Sequence, residues 1–289
     1  MKTPIKSSRA WSFVIIALVY LTGYFVGLYF YHLAIQGCSA VMSLFIADVA
    51  ATIHVWIWGL VFENVSVYDP YWSVAPPVVV TAVAIQMADF SLPAVMLLVA
   101  VWWWAIRLTG NWAYTFRNLG SEDWRYTKYR TEQPAFIFQI INFFGLNMMP
   151  TVVVFFSMLP GIMMIQEGLD TANWLTWVGF LISVGAATIQ LIADTQAHRF
   201  RRDHKGEVCQ VGLWKHARHP NYFGEIMMWW GVWQMYVSVA GLGHNTWLIA
   251  GPVAMTLMFR FISVPLMEGR QLRNKPAYAE YRQKTRMFI

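Results

Sequence analysis

The chain has 289 residues, 57% of them hydrophobic and 12% charged, about half the charged share of an ordinary soluble domain. Apolar stretches long enough to cross a bilayer recur along it, so an integral membrane protein is expected and no separate soluble domain fits in what remains. The formal charge of +6 sits between these stretches as an orientation signal with anionic-lipid contact, and nothing supports nucleic-acid binding.

Eight spans are predicted, near residues 11–33, 40–62, 74–88, 92–108, 136–160, 173–194, 222–240 and 246–266. Lys2, Lys6 and Arg9 precede the first. Its apolar run continues to about Leu33, too long for the core of a signal peptide, so an uncleaved first helix is expected. Pro76 and Pro77 shorten the third span, and seven spans result if that segment is re-entrant. The expected fold is an all-α polytopic transmembrane bundle, one integral membrane domain over residues 1–289. Cys38 and Cys209 are too few for a disulfide framework.

All 21 Lys and Arg fall in or beside four places: the N-terminus, 107–135, 195–221, and the tail from Arg260. By the positive-inside rule these are cytoplasmic, with both termini inside. The connections near 34–39, 89–91, 161–172 and 241–245 contain none.

Three of the cytoplasmic segments are too elaborate for plain connections. In the first, Glu63 to Ser73, Asp69-Pro70-Tyr71-Trp72 suits a turn that seats rings at the membrane interface. An aromatic belt explains it equally well, unless Glu63, Asp69 or one of the tyrosines faces a cavity. In the second, Arg107 ends an apolar span, where a lone arginine snorkels to the headgroups. The mixed-sign run Glu122-Asp123-Trp124-Arg125-Tyr126 suggests a folded, ion-paired cap or a solvated interfacial helix. The third, from Asp194 to Glu225, gathers Arg199, Arg201, Arg202, Lys205, Lys215 and Arg218 beside Trp214, Tyr222 and histidines. Guanidinium forks and aromatic faces suit a phosphorylated, ring-bearing cofactor. If the helix continues past Asp194, then His198 and Arg201 share its face, and a local ion network is the plainer explanation. Pro220 opens the next span with Asn221 and Glu225 one turn apart, a polar face suited to anions and amides. No metal site is expected: His198, His204, His216 and His219 lack HExxH spacing and paired carboxylates, and the surrounding cations repel a divalent ion.

Ala193-Asp194-x-Gln196-x-x-x-Phe200-Arg201, Gly212-Leu213-Trp214 and Arg218-His219-Pro220-Asn221-Tyr222-x-Gly224-Glu225 resemble the C-terminal half of the steroid 5α-reductase and sterol reductase superfamily. With Asp69-Pro70-Tyr71-Trp72-Ser73 and Glu122-Asp123-Trp124-Arg125-Tyr126 added, the chain resembles, over nearly its whole length, the bacterial branch known as domain of unknown function 1295.

The resemblance implies a helical reductase of the bacterial inner membrane that binds NADPH. Residues 191–289 would form its cofactor half and 1–190 its substrate-cavity helices. Asp194 and Arg201 fall where the family binds the adenosine and phosphate half of NADPH. Trp214, Arg218, His219, Asn221, Tyr222 and Glu225 fall where it lines the nicotinamide and pyrophosphate. Glu268 matches an acidic residue of the C-terminal cofactor segment, which Tyr278 and Tyr281 continue, and Arg107 is placed like an upstream arginine near the cofactor. The chain departs from the sterol reductases at Ala197, where they carry Lys. It departs from the steroid 5α-reductases at Phe62-Glu63, where they carry Gln-Glu, and at Trp104, near their tyrosine.

The implied reaction is hydride transfer from NADPH to an enone-type C=C bond of a steroid-like or other lipid substrate, with Glu63, Tyr68 and Tyr71 as candidate groups at the enolate oxygen. An isoprenylcysteine-type membrane methyltransferase using S-adenosylmethionine shares Arg-His-Pro-x-Tyr-x-Gly and is the alternative. A non-enzymatic lipid-binding or transport protein is the third possibility. The oligomeric state is not legible in the sequence.

Overall fold

The computed structural model of the chain describes Lys6 and residues 8–289; Lys2, part of the predicted orientation signal, lies outside them. The described residues are helical, with one isolated parallel bridge, Ala217 to Arg286, and no strand. The helices are α1 (Arg9–Ala34), α2 (Ala40–Val61), α3 (Tyr71–Met87), α4 (Leu92–Thr115), α5 (Trp124–Glu132), α6 (Ala135–Gln166), α7 (Trp174–Asp203), α8 (Pro220–Ala240), α9 (Thr246–Asn274) and α10 (Tyr278–Lys284).

Every predicted span coincides with a helix, and six of these helices (α1, α2, α4, α6, α7 and α9) are long and apolar enough to cross a membrane. The other two are α3, which has 17 residues with Pro76 and Pro77 inside, and α8, which is 21 residues long and carries Asn221, Glu225 and Gln234. Large apolar side chains stand exposed along the first six, among them Leu18, Phe25, Ile57, Val99, Phe144, Leu181 and Phe261, as expected of surfaces that face lipid.

Local chemistry sets the ends. Ser8, Ser39, Asp123 and Asn173 each accept a backbone N–H at the start of a helix, and Asn173 completes a capping box with Thr176. Pro220 stands at the first position of α8, where no donor is lost. Both stretches of wider π-helix, Ile141–Met148 in α6 and Phe259–Ser263 in α9, lie just ahead of a proline, Pro150 and Pro265. A proline removes one ladder donor and crowds the carbonyl four residues back, and a local widening of the helix accommodates both.

The chain divides into two compact units. The first comprises Met1–Val79 with Leu108–Phe155 and the second Val80–Arg107 with Phe156–Ile289. In the first unit α1 packs along α2. Its core includes Ile16, Val19, Ala51, Val55, Val67, Tyr68 and Tyr71. In the second unit α7 packs along α8 at very close range. Gly179 and Gly231 make this possible: a Cβ on Gly231 would stand 2.2 Å from Ser183 Oγ and 2.7 Å from the Gly179 carbonyl.

Candidate functional site

In the second unit, α4 runs on to Thr115, so Arg107 lies inside a helix rather than at its end. It does not snorkel: the residue is 6% exposed. Its guanidinium meets Asp194 of α7 at 2.9 Å and the side-chain oxygen of Gln190, and Nη2 stands 3.5 Å from Glu225 of α8. Asn221 donates to the other oxygen of Asp194 at 3.2 Å. Glu225 accepts the Trp104 indole N–H, 2.9 Å from each oxygen, and the Trp229 indole at 3.1 Å. All these groups are at most partly exposed, and Gln190 is fully buried. A further donor in the cluster, Arg107 Nε, is buried and meets no acceptor among the described residues, while the Gln190 amide lies against Glu225. An unpaired buried donor is costly, so a cluster of this kind is suited to a ligand oxygen or a bound water.

Beside the expected local interaction of Asp194, His198 and Arg201, which persists electrostatically, Asp194 pairs across helices with Arg107 and Asn221. α7 does continue to Asp203, as that expectation required. Arg201 is exposed and turns its Nε to the carbonyl of Ala197 in its own helix. Near it, burial and the adjacent Arg201 and Arg270 guanidiniums hold the Lys275 ammonium below its ordinary range. Mutually repelling cations of this kind are relieved by a bound anion.

The loop after α7 is fastened back onto it. Gln196 accepts the Leu213 N–H at 2.8 Å, and Trp214 donates its indole N–H to Ala193 at 2.8 Å. Gly212 has φ 54°, and a Cβ there would strike the Gln196 amide at 2.3 Å.

Arg218 and His219 face the tail. Arg218 meets Glu268 at 2.7 Å and donates to the carbonyls of Arg282 and Thr285; His219 lies 3.1 Å from Glu268, and Arg282 meets its other oxygen at 2.8 Å. The backbone N–H groups of Arg218 and His219 donate to Arg286 and Met287, and Tyr281 donates to Trp214 and Ala217. This binds the residues 214–219 and 281–287 together, so the Arg218 fork is engaged within the protein. Burial raises the Tyr278 phenol to about 12. The Tyr222 ring stacks on His219 at 5.2 Å with planes 8° apart.

In the first unit, Tyr68 and Tyr71 are both buried, with ring centroids 5.5 Å apart. Tyr71 donates to Asp48 Oδ1 of α2 at 2.8 Å. The Tyr68 hydroxyl meets Thr151 at 2.7 Å, and Thr151 meets Thr52 at 3.0 Å. Burial pushes the Tyr68 phenol above the ordinary tyrosine range. Glu63 is not brought to this network: it is exposed, in the left-handed region at φ 51°, and its carbonyl accepts from Arg130. The acid beside the tyrosines is Asp48, which the sequence expectation did not include. The signal was present, because Asp48 is the one acidic residue within the 40–61 apolar run, and a carboxyl at membrane depth marks a functional candidate.

A cap closes over the 65–69 turn within the same unit. Glu122 accepts the Val65 N–H at 3.0 Å and pairs with Arg130 at 2.8 Å, and Tyr126 donates to Asp69. The mixed-sign run is therefore a folded, ion-paired cap. Burial raises the Asp69 carboxyl to about 6, against the opposing pull of Arg125 and the Tyr126 hydroxyl. No group of three or more His, Cys, Asp or Glu side chains with metal-binding geometry occurs among the described residues.

No solved structure matches the chain. It is similar to Uncharacterized protein C594.04c of Schizosaccharomyces pombe, at 20% identity over 86% of this chain and 77% of that protein. A family model described as "Protein of unknown function (DUF1295)" matches residues 55–285, most of the sequence, and the chain belongs to that family.

Proposed function

We propose that this protein is an NADPH-dependent membrane reductase that saturates an electron-poor C=C bond in a lipid-like, steroid-like substrate. The observation that carries the proposal is the buried constellation of Arg107, Gln190, Asp194, Asn221 and Glu225, polar groups gathered inside an apolar helix bundle at a cost that a structural role alone does not repay. Four of the five stand at positions the superfamily resemblance implicates in cofactor binding. One observation fits the cofactor: the buried Arg107 Nε lacks an acceptor among the described residues, as a ligand oxygen would supply. NADPH, when bound, supplies a hydride.

In the first unit, the Tyr71 O–H now donated to Asp48 would stabilise a developing enolate oxygen once it turns from Asp48 to the substrate. Tyr68 with Thr151 is a second such donor. Apolar surroundings keep water away and strengthen each of these hydrogen bonds. Tyr71→Phe removes the donor and keeps the ring. Its expected effect is a drop of about 100-fold or more in enone reduction, with NADPH affinity unchanged.

Eight crossings with both termini cytoplasmic, in a bacterial inner membrane, complete the proposal; the distribution of Lys and Arg supports this orientation. The decisive measurement is the melting shift of the purified protein with NADPH and with S-adenosylmethionine. A shift with NADPH alone supports the reductase. A shift with S-adenosylmethionine alone assigns the chain to membrane methyltransferases.

A further inference from the structure

We infer that the Arg107–Asp194–Glu225 cluster is a receptor for a positively charged centre and therefore binds the oxidised, cationic form of its nicotinamide cofactor in preference to the neutral reduced form. The inference rests on the reductase proposal for the identity of the ligand, and on charge and geometry for the preference.

Each hydrogen-bond partner of the two carboxyls is a donor. Asp194 accepts from the Arg107 guanidinium and the Asn221 amide, and Glu225 from two indoles with the guanidinium at 3.5 Å. A carboxylate accepts only, whereas a carboxylic acid also needs an acceptor for its proton, so the pattern fits two ionised carboxylates. Among the described residues, Arg107 is the one Lys or Arg within 4 Å of either. Arg107 and the two carboxylates sum to a net charge of −1, in residues at most 8% exposed. His198 follows Asp194 by one helical turn on α7. Little solvent screens such an excess, and a ligand that brings one positive charge offsets it.

A donor without an acceptor narrows the ligand further. Arg107 Nε calls for an oxygen beside the positive centre. An oxidised nicotinamide carries both, as a cationic ring and a carboxamide oxygen. The sulfonium and carboxylate of S-adenosylmethionine carry the same two features. What the cluster recognises is the shared chemistry, a cation with an adjacent oxygen acceptor.

The test compares ligand pairs that differ in that charge: NADP+ against NADPH, and S-adenosylmethionine against S-adenosylhomocysteine. Dissociation constants are measured by calorimetry on the full chain in detergent, for wild type and for Glu225→Gln, which keeps the shape and removes one charge. Asp194→Asn is the second variant, for use if the first does not fold. The expected result is that wild type favours NADP+ and that either variant shifts the NADP+/NADPH affinity ratio about tenfold toward NADPH, about 1.4 kcal/mol. An unchanged ratio, with both nucleotides still binding wild type, overturns the charge preference and leaves the reductase standing. Binding of neither nucleotide, with a preference for S-adenosylmethionine over S-adenosylhomocysteine that Glu225→Gln abolishes, sustains the cation receptor and overturns the reductase. Binding of none of the four overturns both.

Discussion

Arg107 and Asp194 are 87 positions apart in sequence and 2.9 Å apart in space, a guanidinium and a carboxylate paired between α4 and α7. Removing one member of such a buried pair strands the other's charge, a loss of about 3–5 kcal/mol. Arg107→Ala is expected to destabilise the protein by that amount in a denaturant titration in detergent. Combined with Asp194→Asn, the two losses are expected to be strongly non-additive. Simple addition of the two effects would contradict the pairing.

The tail is held by Arg218 through Glu268 and the carbonyls of Arg282 and Thr285. Arg218→Ala is expected to release residues 281–287, with the end of α10, while α1 to α9 remain folded. Limited trypsin digestion at Arg282 and Lys284 is then expected to accelerate about tenfold or more, since local opening governs cleavage. Equal cleavage rates in variant and wild type would show that the tail is held by other contacts.

The α7–α8 crossing depends on the missing side chain at Gly231, where a Cβ would meet Ser183 Oγ at 2.2 Å. Gly231→Ala is expected to destabilise by about 1–3 kcal/mol through overpacking. Gly185→Ala, on the same α7, is the control, because its Cβ would meet nothing within 4 Å. A melting temperature unchanged by Gly231→Ala would contradict the close approach.

Asp69 sets a pH dependence of definite sign. Burial raises its carboxyl from 3.8 to about 6, so the folded protein holds this proton more tightly than the unfolded chain. Its contribution to stability is present below pH 3.8 and is lost as the pH rises to about 6. Melting curves across that window are expected to show a decline that Asp69→Asn removes. A decline of equal size in the variant would assign it to other groups.

The proposed orientation is tested at two exposed positions, Ser121 and Thr171. With Cys38 and Cys209 replaced, single cysteines at these positions are expected to label from opposite sides of the membrane. Labelling of both from one side would rule out eight crossings.

The apolar runs by themselves determined that this chain is helical and built for a membrane, because a segment without water must satisfy its own backbone. They also placed the start of each membrane helix to within about three residues, while several helices run six to nine residues past the predicted ends, and Pro76 and Pro77 already marked 74–88 as atypical. The DUF1295 membership was legible too, since Asp69-Pro70-Tyr71-Trp72 and Arg218-His219-Pro220-Asn221 are local strings. What only the tertiary structure decided is which polar groups meet. An arginine at position 107 reads the same in sequence whether it reaches the headgroups or turns inward, and the longer α4 together with the rotational setting of α7 makes it turn inward to Asp194 and Gln190. Glu63 stood beside the tyrosines in sequence, yet its left-handed backbone leaves it exposed, while Asp48, some twenty positions earlier, supplies the buried carboxyl. Sequence spacing constrains neighbours along one helix; the partners across helices depend on packing angle and register, which no single segment encodes.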